Sequence, residues 1–263
     1  RGSLAQLVGY DLSTAVGKRG LTDLKTMFMD VFLPFCLGVL VDPEYGFPAI
    51  DAKADGAGLI LTLESSGYTD EKTAIPTLLS NWGVEGVKNN YAVAKLLVYY
   101  HPQEELAAEK QKLVMELFAA CRREDVAFLL EPVIFSLTGT PEMGQDEFHE
   151  AQLQTCQELQ QYCDILKVQY PGDPLACATL TAELDVPWIL LSRGMDYEHF
   201  RDALKVSLEN GAKGFAAGRS VWQEIGTMKG ADGGPDLVAI QQFLTTTGVQ
   251  RMKELIALTE SAA

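Results

Sequence analysis

Short apolar runs alternate with longer amphipathic stretches along this chain from residue 37 to its end. The apolar runs are continuous and rich in Leu, Val and Ile, which is typical of parallel strands that are covered on both faces. The longer stretches repeat apolar residues every three or four positions, as an amphipathic helix does. This alternation predicts strands at residues 37–41, 57–64, 93–100, 126–135, 164–170, 187–192 and 214–217.

The intervening helices are predicted from the helical period and from the residues that begin and end helices. Pro174 falls in the first turn of one helix, and Gly211 closes another. The predicted helices cover residues 21–35, 82–89, 103–124, 145–163, 174–184, 197–210, 235–245 and 248–261.

Strands and helices in alternation over 263 residues favour an α/β fold of the (β/α)8 TIM-barrel type over an open doubly wound sheet. The sequence contains no linker, so residues 1–263 are expected to form a single barrel domain. Because only seven strands are predicted, the barrel should lack its first strand, which is expected to precede Arg1. An exposed edge or gap is therefore predicted between the strands at 37–41 and 214–217.

The charge balance is acidic, with 36 Asp and Glu residues, 21 Lys and Arg residues and a net charge of −15. This argues against a nucleic-acid partner, because nucleic-acid-binding proteins usually present a basic face. An anionic substrate would have to be held by local donors against the overall field. No signal peptide is recognised, and no apolar run approaches the ~18 residues of a membrane span, so no membrane partner is expected.

The cysteines and histidines argue against disulfide and zinc chemistry. The five cysteines are an odd number without a CxxC pair, which predicts reduced structural thiols and a cytoplasmic location. The three histidines are scattered along the chain, so no His-rich metal site is expected.

Lys167 stands in the middle of the β-prone run 164–170, where it shares a strand face with Ile165 and Gln169. On the local sequence alone, the simpler interpretation is a strand-end lysine whose ammonium group reaches solvent. A buried lysine would instead have a lowered pKa, which is what a Schiff-base nucleophile requires.

Two more charged residues change that balance, because Lys95 and Glu131 stand at comparable depth in two central strands. A second ammonium group lowers the pKa of the first, and a carboxylate between them can carry protons. Glu131 also has a simpler interpretation, as a strand-end carboxylate paired with Arg122 or Arg123.

Further polar residues stand at the predicted carboxyl ends of strands, where TIM barrels place their active sites. They include Asp42, Glu44, Glu64, Ser192-Arg193-Gly194 and Gly218-Arg219. The two glycine-containing segments end the last two strands, where barrels often bind phosphate through backbone N–H groups. Arg219 would add a charge-assisted hydrogen bond. We therefore predict an anion site at Ser192, Gly194, Gly218 and Arg219.

Seven segments in order carry a resemblance to a known family: LVDPEYGFPA at 40–49, ESSGY at 64–68, AKLLVYY, FLLEPV, ILKVQYP, ILLSRG and AAGRSVW. Each motif is weakly specific, but their order and spacing resemble the class I tagatose 1,6-bisphosphate aldolase family. The related sulfofructose-phosphate aldolases share much of the pattern. The resemblance covers essentially the whole chain.

The resemblance implies a (β/α)8 barrel and a retro-aldol cleavage through a lysine Schiff base, with no metal and no cofactor. The family's Schiff-base lysine falls on Lys167, its proton-transferring glutamate on Glu131 and its second active-site lysine on Lys95. Its first strand ends in Asp-Gln-Arg-Gly, of which Arg1-Gly2 are present here. Arg1 thus joins the predicted substrate-binding set, as does Asp42 from the strand ends named above, and the phosphate loops fall on the predicted anion site.

The implied substrate is a phosphorylated sugar, tagatose 1,6-bisphosphate, cleaved to dihydroxyacetone phosphate and a three-carbon aldehyde. Sulfofructose 1-phosphate stays open as a second substrate, because Pro132-Val133 is closer to the sulfosugar branch, whereas Tyr99-Tyr100 is closer to the tagatose branch. Gln169 stands where the family usually has Glu. A metal-dependent aldolase would need a metal cluster that the sequence lacks, and a non-catalytic barrel that senses a ligand also stays open. A homo-oligomer is expected as well.

Overall fold

The computed structural model describes residues 2–50, 57–65, 71–138, 143–231 and 233–262. Within these ranges, seven strands form one sheet in which each strand pairs in parallel with the next along the chain. The sheet curls into a TIM-barrel-like half-barrel, which confirms the predicted fold class. The strands are β1 (Gly38–Val41), β2 (Gly58–Thr62), β3 (Val93–Tyr99), β4 (Phe128–Val133), β5 (Ile165–Val168), β6 (Trp188–Leu191) and β7 (Phe215–Ala216).

Helices alternate with these strands, and a π-helical turn at Leu244–Gly248 joins the last two of them. The helices are α1 (Gly2–Val8), α2 (Ala15–Phe32), α3 (Pro43–Ile50), α4 (Val84–Asn89), α5 (Ala107–Glu124), α6 (Gln145–Leu159), α7 (Pro174–Glu183), α8 (Tyr197–Glu209), α9 (Arg219–Trp222), α10 (Leu237–Phe243) and α11 (Val249–Ala262). In the part of the chain that the structure describes, none of them combines the length and apolar character needed to span a membrane.

The middle of the sheet is its most buried part. β3 and β4 stay in register from Ala94 opposite Phe128 to Tyr99 opposite Val133, and every residue of β4 is buried. Alternate residues of the central strands form the layer that packs under the helices; these are Leu96, Leu130, Leu166 and Leu190, each 0% exposed. The other face of the same strands carries the charged residues that the sequence singled out.

The sheet is open between its first and last strands. Among the described residues, β1 and β7 do not pair with each other, so the predicted gap is confirmed. Both edge strands are less buried than the middle of the sheet, and Leu40 in β1 is 37% exposed. A half-barrel therefore presents unpaired backbone groups along two edges.

The amino-terminal part of the chain is more helical than predicted, and α2 begins at Ala15 rather than at residue 21. Residues 2–8 form α1, although no element was predicted there. Asp42-Pro43 after β1 has the sequence of an ordinary turn, but in the structure Pro43 begins α3. Proline is favoured at the first helical position because a backbone N–H there would have no acceptor within the helix. Asp42 caps the same helix end, since its carboxylate accepts the backbone N–H of Tyr45 at 2.8 Å.

Pro132 in the predicted strand 126–135 suggests that ladder pairing ends there, and the structure shows this end on the β5 side but not on the β3 side. Pro132 lies within β4, opposite Val98 of β3. The backbone of Val133 faces β3, because its carbonyl accepts the N–H of Tyr100, so the backbone of Pro132 faces β5. The register with β5 ends at Leu130 opposite Leu166. The missing N–H of Pro132 therefore costs the ladder no hydrogen bond.

Candidate active site

Three charged side chains from three neighbouring strands meet on the inner face of the half-barrel. Glu131 in β4 lies between Lys95 in β3 and Lys167 in β5. Its Oε2 is 2.8 Å from Nζ of Lys95, and its Oε1 is 2.9 Å from Nζ of Lys167. Lys95 and Glu131 are buried, and the side chain of Lys167 is 12% exposed. One carboxylate thus bonds two lysines with its two oxygens.

Strand register explains why these residues meet. In the β3–β4 ladder, Glu131 is opposite Leu97, two positions beyond Lys95 on the same face. In the β4–β5 ladder, Leu130 is opposite Leu166, which brings Glu131 level with Lys167. Parallel strands place equivalent positions at one end of the sheet, so residues far apart in sequence share one site.

The simpler interpretation of Glu131, as a strand-end carboxylate paired with Arg122 or Arg123, does not describe the structure, because Glu131 pairs with the two lysines. Nη2 of Arg122 is 3.0 Å from Oδ1 of Asp164, at the opposite end of the strands. Asp164 also accepts the backbone N–H of Phe128 at 2.8 Å, which fixes the start of β4 beside β5.

The two lysines have opposite electrostatic settings. Burial lowers the pKa of Lys167, and the nearby charge of Lys95 adds to this effect, so that the attraction of Glu131 does not restore the ordinary value. Burial alone would lower the pKa of Lys95 as well. The charges and hydrogen bonds of Glu131 and Glu64 outweigh burial, so the pKa of Lys95 is raised. The direction of the Lys167 shift agrees with the prediction.

Glu131 is held ionised between them. Burial alone would raise its pKa, but the charges of Lys167 and Lys95, with their hydrogen bonds, lower the pKa of this carboxyl below its usual range. The arrangement therefore combines an ammonium group at Lys95, a carboxylate at Glu131 and an amine that loses its proton readily at Lys167.

Glu64 completes this cluster, although sequence reasoning assigned it no role beyond a polar strand end. Its Oε1 is 2.6 Å from Nζ of Lys95, and its Oε2 accepts the backbone N–H of Leu97 at 3.2 Å. The available signal was its position two residues beyond β2, at the same end of the sheet as the other charged residues. We call Glu64, Lys95, Glu131 and Lys167 the charge cluster.

The residues of the predicted anion site lie beyond β6 and β7. Gly194 has a φ of 78°, a backbone conformation that favours glycine. A β-carbon placed on it would lie 3.2 Å from Cζ of Arg219, so the guanidinium group packs directly over this glycine. Gly218 precedes the first residue of α9, and Ser192 is buried at the end of β6. The structure thus brings Gly194 and Arg219 together.

Arg193 is a second arginine in this region, to which sequence reasoning assigned no role. It has a φ of 44°, which is uncommon for a residue with a long side chain. Burial raises the pKa of Tyr99 at the end of β3, whereas the charges of Arg193 and Arg219 act to lower it. The charges of Glu131 and Lys95 also affect the pKa of Tyr99. Tyr99 is therefore close enough to the charge cluster and to the two arginines for the charges of both to act on it.

Two residues of the predicted substrate-binding set have a different status. Asp42 forms an ion pair with Lys25 of α2 and also caps α3, so the described contacts of this carboxylate are structural. Arg1 lies outside the described residues. For Asp42, substrate binding stays a prediction.

Gln169 has a structural contact. Its Oε1 accepts the backbone N–H of Ile134 at 2.6 Å, just where the β4–β5 ladder has ended. Its own carbonyl accepts Nε2 of Gln152 from α6 at 2.9 Å. The side chain thus replaces a missing ladder bond and holds the ends of β4 and β5 together.

Comparison with known proteins identifies the family to which this arrangement belongs. A family model described as DeoC/LacD family aldolase matches residues 6–224. The chain belongs to this family. It is a class I aldolase, a carbon–carbon lyase, as the sequence predicted.

Curated relatives of this aldolase match it over nearly its full length. Tagatose 1,6-diphosphate aldolase 2 of Streptococcus pyogenes is 28% identical over 295 residues, which covers 100% of this chain and 89% of the relative. Tagatose 1,6-diphosphate aldolase of Staphylococcus aureus is 27% identical over 290 residues, which covers 97% of this chain and 87% of the relative.

Solved aldolase structures share the fold at low sequence identity. An archaeal fructose-1,6-bisphosphate aldolase, with its catalytic lysine covalently bound to the carbinolamine intermediate, has a TM-score of 0.58 and 16% identity, covering 90% of this chain and 99% of that chain. The fructose-bisphosphate aldolase of Plasmodium falciparum has a TM-score of 0.63 and 12% identity, and the match covers 90% of this chain and 82% of that chain. These similarities support the TIM-barrel-like fold.

The cysteines agree with the prediction of free thiols, whereas the cytoplasmic location stays a prediction. The thiols of Cys36, Cys121, Cys156, Cys163 and Cys177 are all free. Burial raises the pKa of the Cys121 and Cys177 thiols to about 11, so these two residues are protonated at neutral pH and pack as small apolar side chains.

Proposed function

We propose that this aldolase cleaves a ketose bisphosphate, tagatose 1,6-bisphosphate, through a Schiff base on Lys167. The observation that carries the proposal is the single buried carboxylate of Glu131, which bonds two lysines whose pKa values are shifted in opposite directions. A nucleophilic amine must be neutral, and Lys167 is the lysine whose surroundings favour that state. The curated relatives named tagatose 1,6-diphosphate aldolase support the choice of substrate.

The first half of the reaction forms the covalent intermediate. The neutral amine of Lys167 attacks the C2 carbonyl carbon of the ketose and forms a carbinolamine. Before the attack, Glu131 takes the proton that Lys167 must lose to become neutral. After the attack, a nitrogen proton moves to the C2 oxygen to complete the carbinolamine, and Glu131 then gives the proton it holds to the C2 hydroxyl, which leaves as water. The resulting iminium carries a positive charge beside the Glu131 carboxylate, in the place that the ammonium group of Lys167 occupies in the free enzyme.

The second half breaks the C3–C4 bond. The C4 hydroxyl gives its proton to Glu131 as the bond electrons move into the iminium, which leaves an enamine on Lys167 and releases a three-carbon aldehyde. The enamine takes the proton back at C3, and hydrolysis of the iminium frees dihydroxyacetone phosphate and the amine. Lys95 remains an ammonium group throughout and stabilises the ionised form of Glu131.

The anion site is proposed to hold the C1 phosphate of the substrate. Arg219 offers a guanidinium group beside Gly194, and the loops after β6 and β7 offer backbone N–H groups. This placement follows from the chemistry, because the C1 phosphate must stay bound in the dihydroxyacetone half while C3–C4 cleavage takes place.

The Schiff base is tested by reduction with borohydride in the presence of substrate. We expect a three-carbon or six-carbon adduct on Lys167, located by mass spectrometry, and inactivation that depends on substrate. Lys167→Met should give no adduct and no turnover, and Lys95→Met should still be trapped at Lys167. An adduct on Lys95 alone would exchange the roles of the two lysines, and turnover without any adduct would rule out the Schiff base.

The substrate is tested with three compounds under the same coupled assay. Tagatose 1,6-bisphosphate should give a higher kcat/KM than fructose 1,6-bisphosphate or sulfofructose 1-phosphate. The third compound is included because Pro132-Val133 resembles the sulfosugar branch. A higher kcat/KM for sulfofructose 1-phosphate would assign the protein to that branch. A protein that binds all three without turnover would be a ligand-sensing barrel.

A further inference from the structure

Glu64 connects two parts of the half-barrel that the rest of the charge cluster does not reach. Its backbone bridges to Leu78 in the segment that returns toward α4, and the N–H of Leu79 bonds the carbonyl of Leu63. Its carboxylate points the other way, toward β3, where it bonds both Lys95 and the N–H of Leu97. A glutamate fixed at both ends is a rigid anchor.

Lys95 needs such an anchor, because a lysine side chain is flexible and a single contact does not fix its ammonium group. Two carboxylates hold it here, at 2.6 Å from Glu64 and 2.8 Å from Glu131. Signs alternate along the cluster from Glu64 to Lys95 to Glu131 to Lys167. Each inner group is therefore held between two groups of opposite charge.

We propose that Glu64 is a positioning residue of this aldolase, which fixes the ammonium group of Lys95 against Oε2 of Glu131 and so keeps Oε1 directed at Lys167. The proposal rests on the proposed function for the roles of Lys167 and Glu131. Glu64 does not bond Lys167 in the structure and acts through Lys95.

The positioning has a consequence for pH dependence. The titratable groups that face Lys95 are Glu64, Glu131, Lys167 and Tyr99. Of these, Glu64 and Glu131 raise its pKa. Loss of the Glu64 charge removes one of the two, so Lys95 should lose its proton at a lower pH. Glu131 would then lose its ammonium partner at a lower pH than in the wild type.

The test compares Glu64→Gln with Glu64→Asp and a matched control. Glu64→Gln keeps the shape and an oxygen for the N–H of Leu97, but it removes the charge. We expect kcat to fall roughly tenfold or more with KM within about twofold. We expect the alkaline limb of the kcat/KM profile to move down by about one pH unit or more. Glu64→Asp keeps the charge, so its alkaline limb should stay close to the wild-type position, with an intermediate kcat.

Glu104→Gln is the control, because Glu104 is a buried glutamate outside the charge cluster that pairs with its own lysine, Lys110, at 2.6 Å. It should lose stability as Glu64→Gln does, but its alkaline limb should not move. A readout without turnover is the rate at which acetic anhydride labels Lys95 at graded pH. In Glu64→Gln, this labelling should begin at a lower pH than in the wild type or in Glu104→Gln.

The outcomes separate this proposal from the proposed function. If the wild type gives no borohydride adduct, the Schiff-base function fails, while labelling of Lys95 still judges the position of its ammonium group. If the wild type is trapped at Lys167 but Glu64→Gln has wild-type kcat, pH profile and labelling, the positioning role alone is overturned. Should Glu64→Gln not fold, a Glu64→Asp variant with unchanged kcat would overturn it equally.

Discussion

At the scale of single residues, the site depends on buried charges that neutralise one another. Two buried ammonium groups repel each other, and a buried carboxylate without partners would take up a proton. Glu131 resolves both problems by bonding Lys95 and Lys167 at once. Removing one member of such a group is costly, because the others remain buried without compensation.

Glu131→Gln should therefore affect both activity and stability. We expect kcat to fall by about 10²- to 10⁴-fold, since the proton carrier is lost. The free energy of unfolding near pH 7 should fall by about 3–5 kcal/mol, because two lysines are left without their carboxylate. Chemical denaturation and steady-state kinetics measure the two effects.

The stability loss should shrink as pH rises. Lys167 has a lowered pKa, so it is the first of the two lysines to become neutral, and the wild type then loses the same ion pair that the variant lacks. Glu116→Gln, which removes an exposed carboxylate 3.9 Å from Lys112, is a control expected to cost less than about 1 kcal/mol. A loss that is constant between neutral and alkaline pH would contradict the assigned direction for Lys167.

Arg219→Ala tests the anion site by its effect on substrate binding. A charge-assisted hydrogen bond contributes about 1.5–3 kcal/mol, so KM for the phosphorylated ketose should rise roughly ten- to hundredfold with a smaller change in kcat. Arg123→Ala, at the end of α5, removes an equal charge from an exposed position and should leave KM unchanged. Wild-type kinetics in Arg219→Ala would remove Arg219 from the site.

At the scale of elements, several helices begin with a side-chain cap that the sequence shows directly. Asp173 accepts the N–H of Ala176 at 2.9 Å at the start of α7, and Asp196 accepts the N–H of His199 at 3.0 Å at the start of α8. These caps place the helices that follow β5 and β6. They fix where each strand ends and where the active-site loops begin.

The carboxyl end of α5 is less well matched to its conformation. Asp125 has a φ of 56° there, a left-handed conformation that glycine adopts without a steric penalty. Asp125→Gly should therefore raise the free energy of unfolding by up to about 1 kcal/mol, and Asp125→Ala should lower it. Thermal unfolding of both variants measures the difference; a lower Tm for Asp125→Gly would show that the aspartate side chain stabilises this helix end.

At the scale of the whole molecule, the backbone N–H groups at the two edges of the open sheet differ in their surroundings from those in its middle. The carbonyl of Leu37 bonds the N–H of Gly58, and the carbonyl of Gly214 bonds the N–H of Leu190. Because backbone groups alternate sides along a strand, the amides of Leu40 and Phe215 point away from β2 and β6 respectively. Leu96 and Leu130 lie in the buried middle, 0% exposed.

Hydrogen exchange should follow that difference. We expect the amides of Leu40 and Phe215 to exchange much faster than those of Leu96 and Leu130, because unpaired amides at an open edge need no global unfolding to meet water. Equal protection at all four positions would show that both edges are covered in solution.

The fold class and the charged triad could be inferred from the sequence, because both depend on local patterns. Apolar runs that alternate with helical periods are typical of parallel α/β folds, and a lysine or glutamate inside such a run is visible without coordinates. Strand phase then predicts that Lys95, Glu131 and Lys167 share the inner face. The gap between β1 and β7 followed from counting seven strands.

Only the tertiary structure decided which charges pair and how their proton affinities differ. Register between strands sets the distances from Glu131 to both lysines, and register depends on packing across the sheet rather than on any one segment. It also brings Glu64 to Lys95, which raises the pKa of that lysine, whereas the pKa of Lys167 in the same cluster is lowered. A sequence shows which groups can ionise, whereas their neighbours in space determine which of them do.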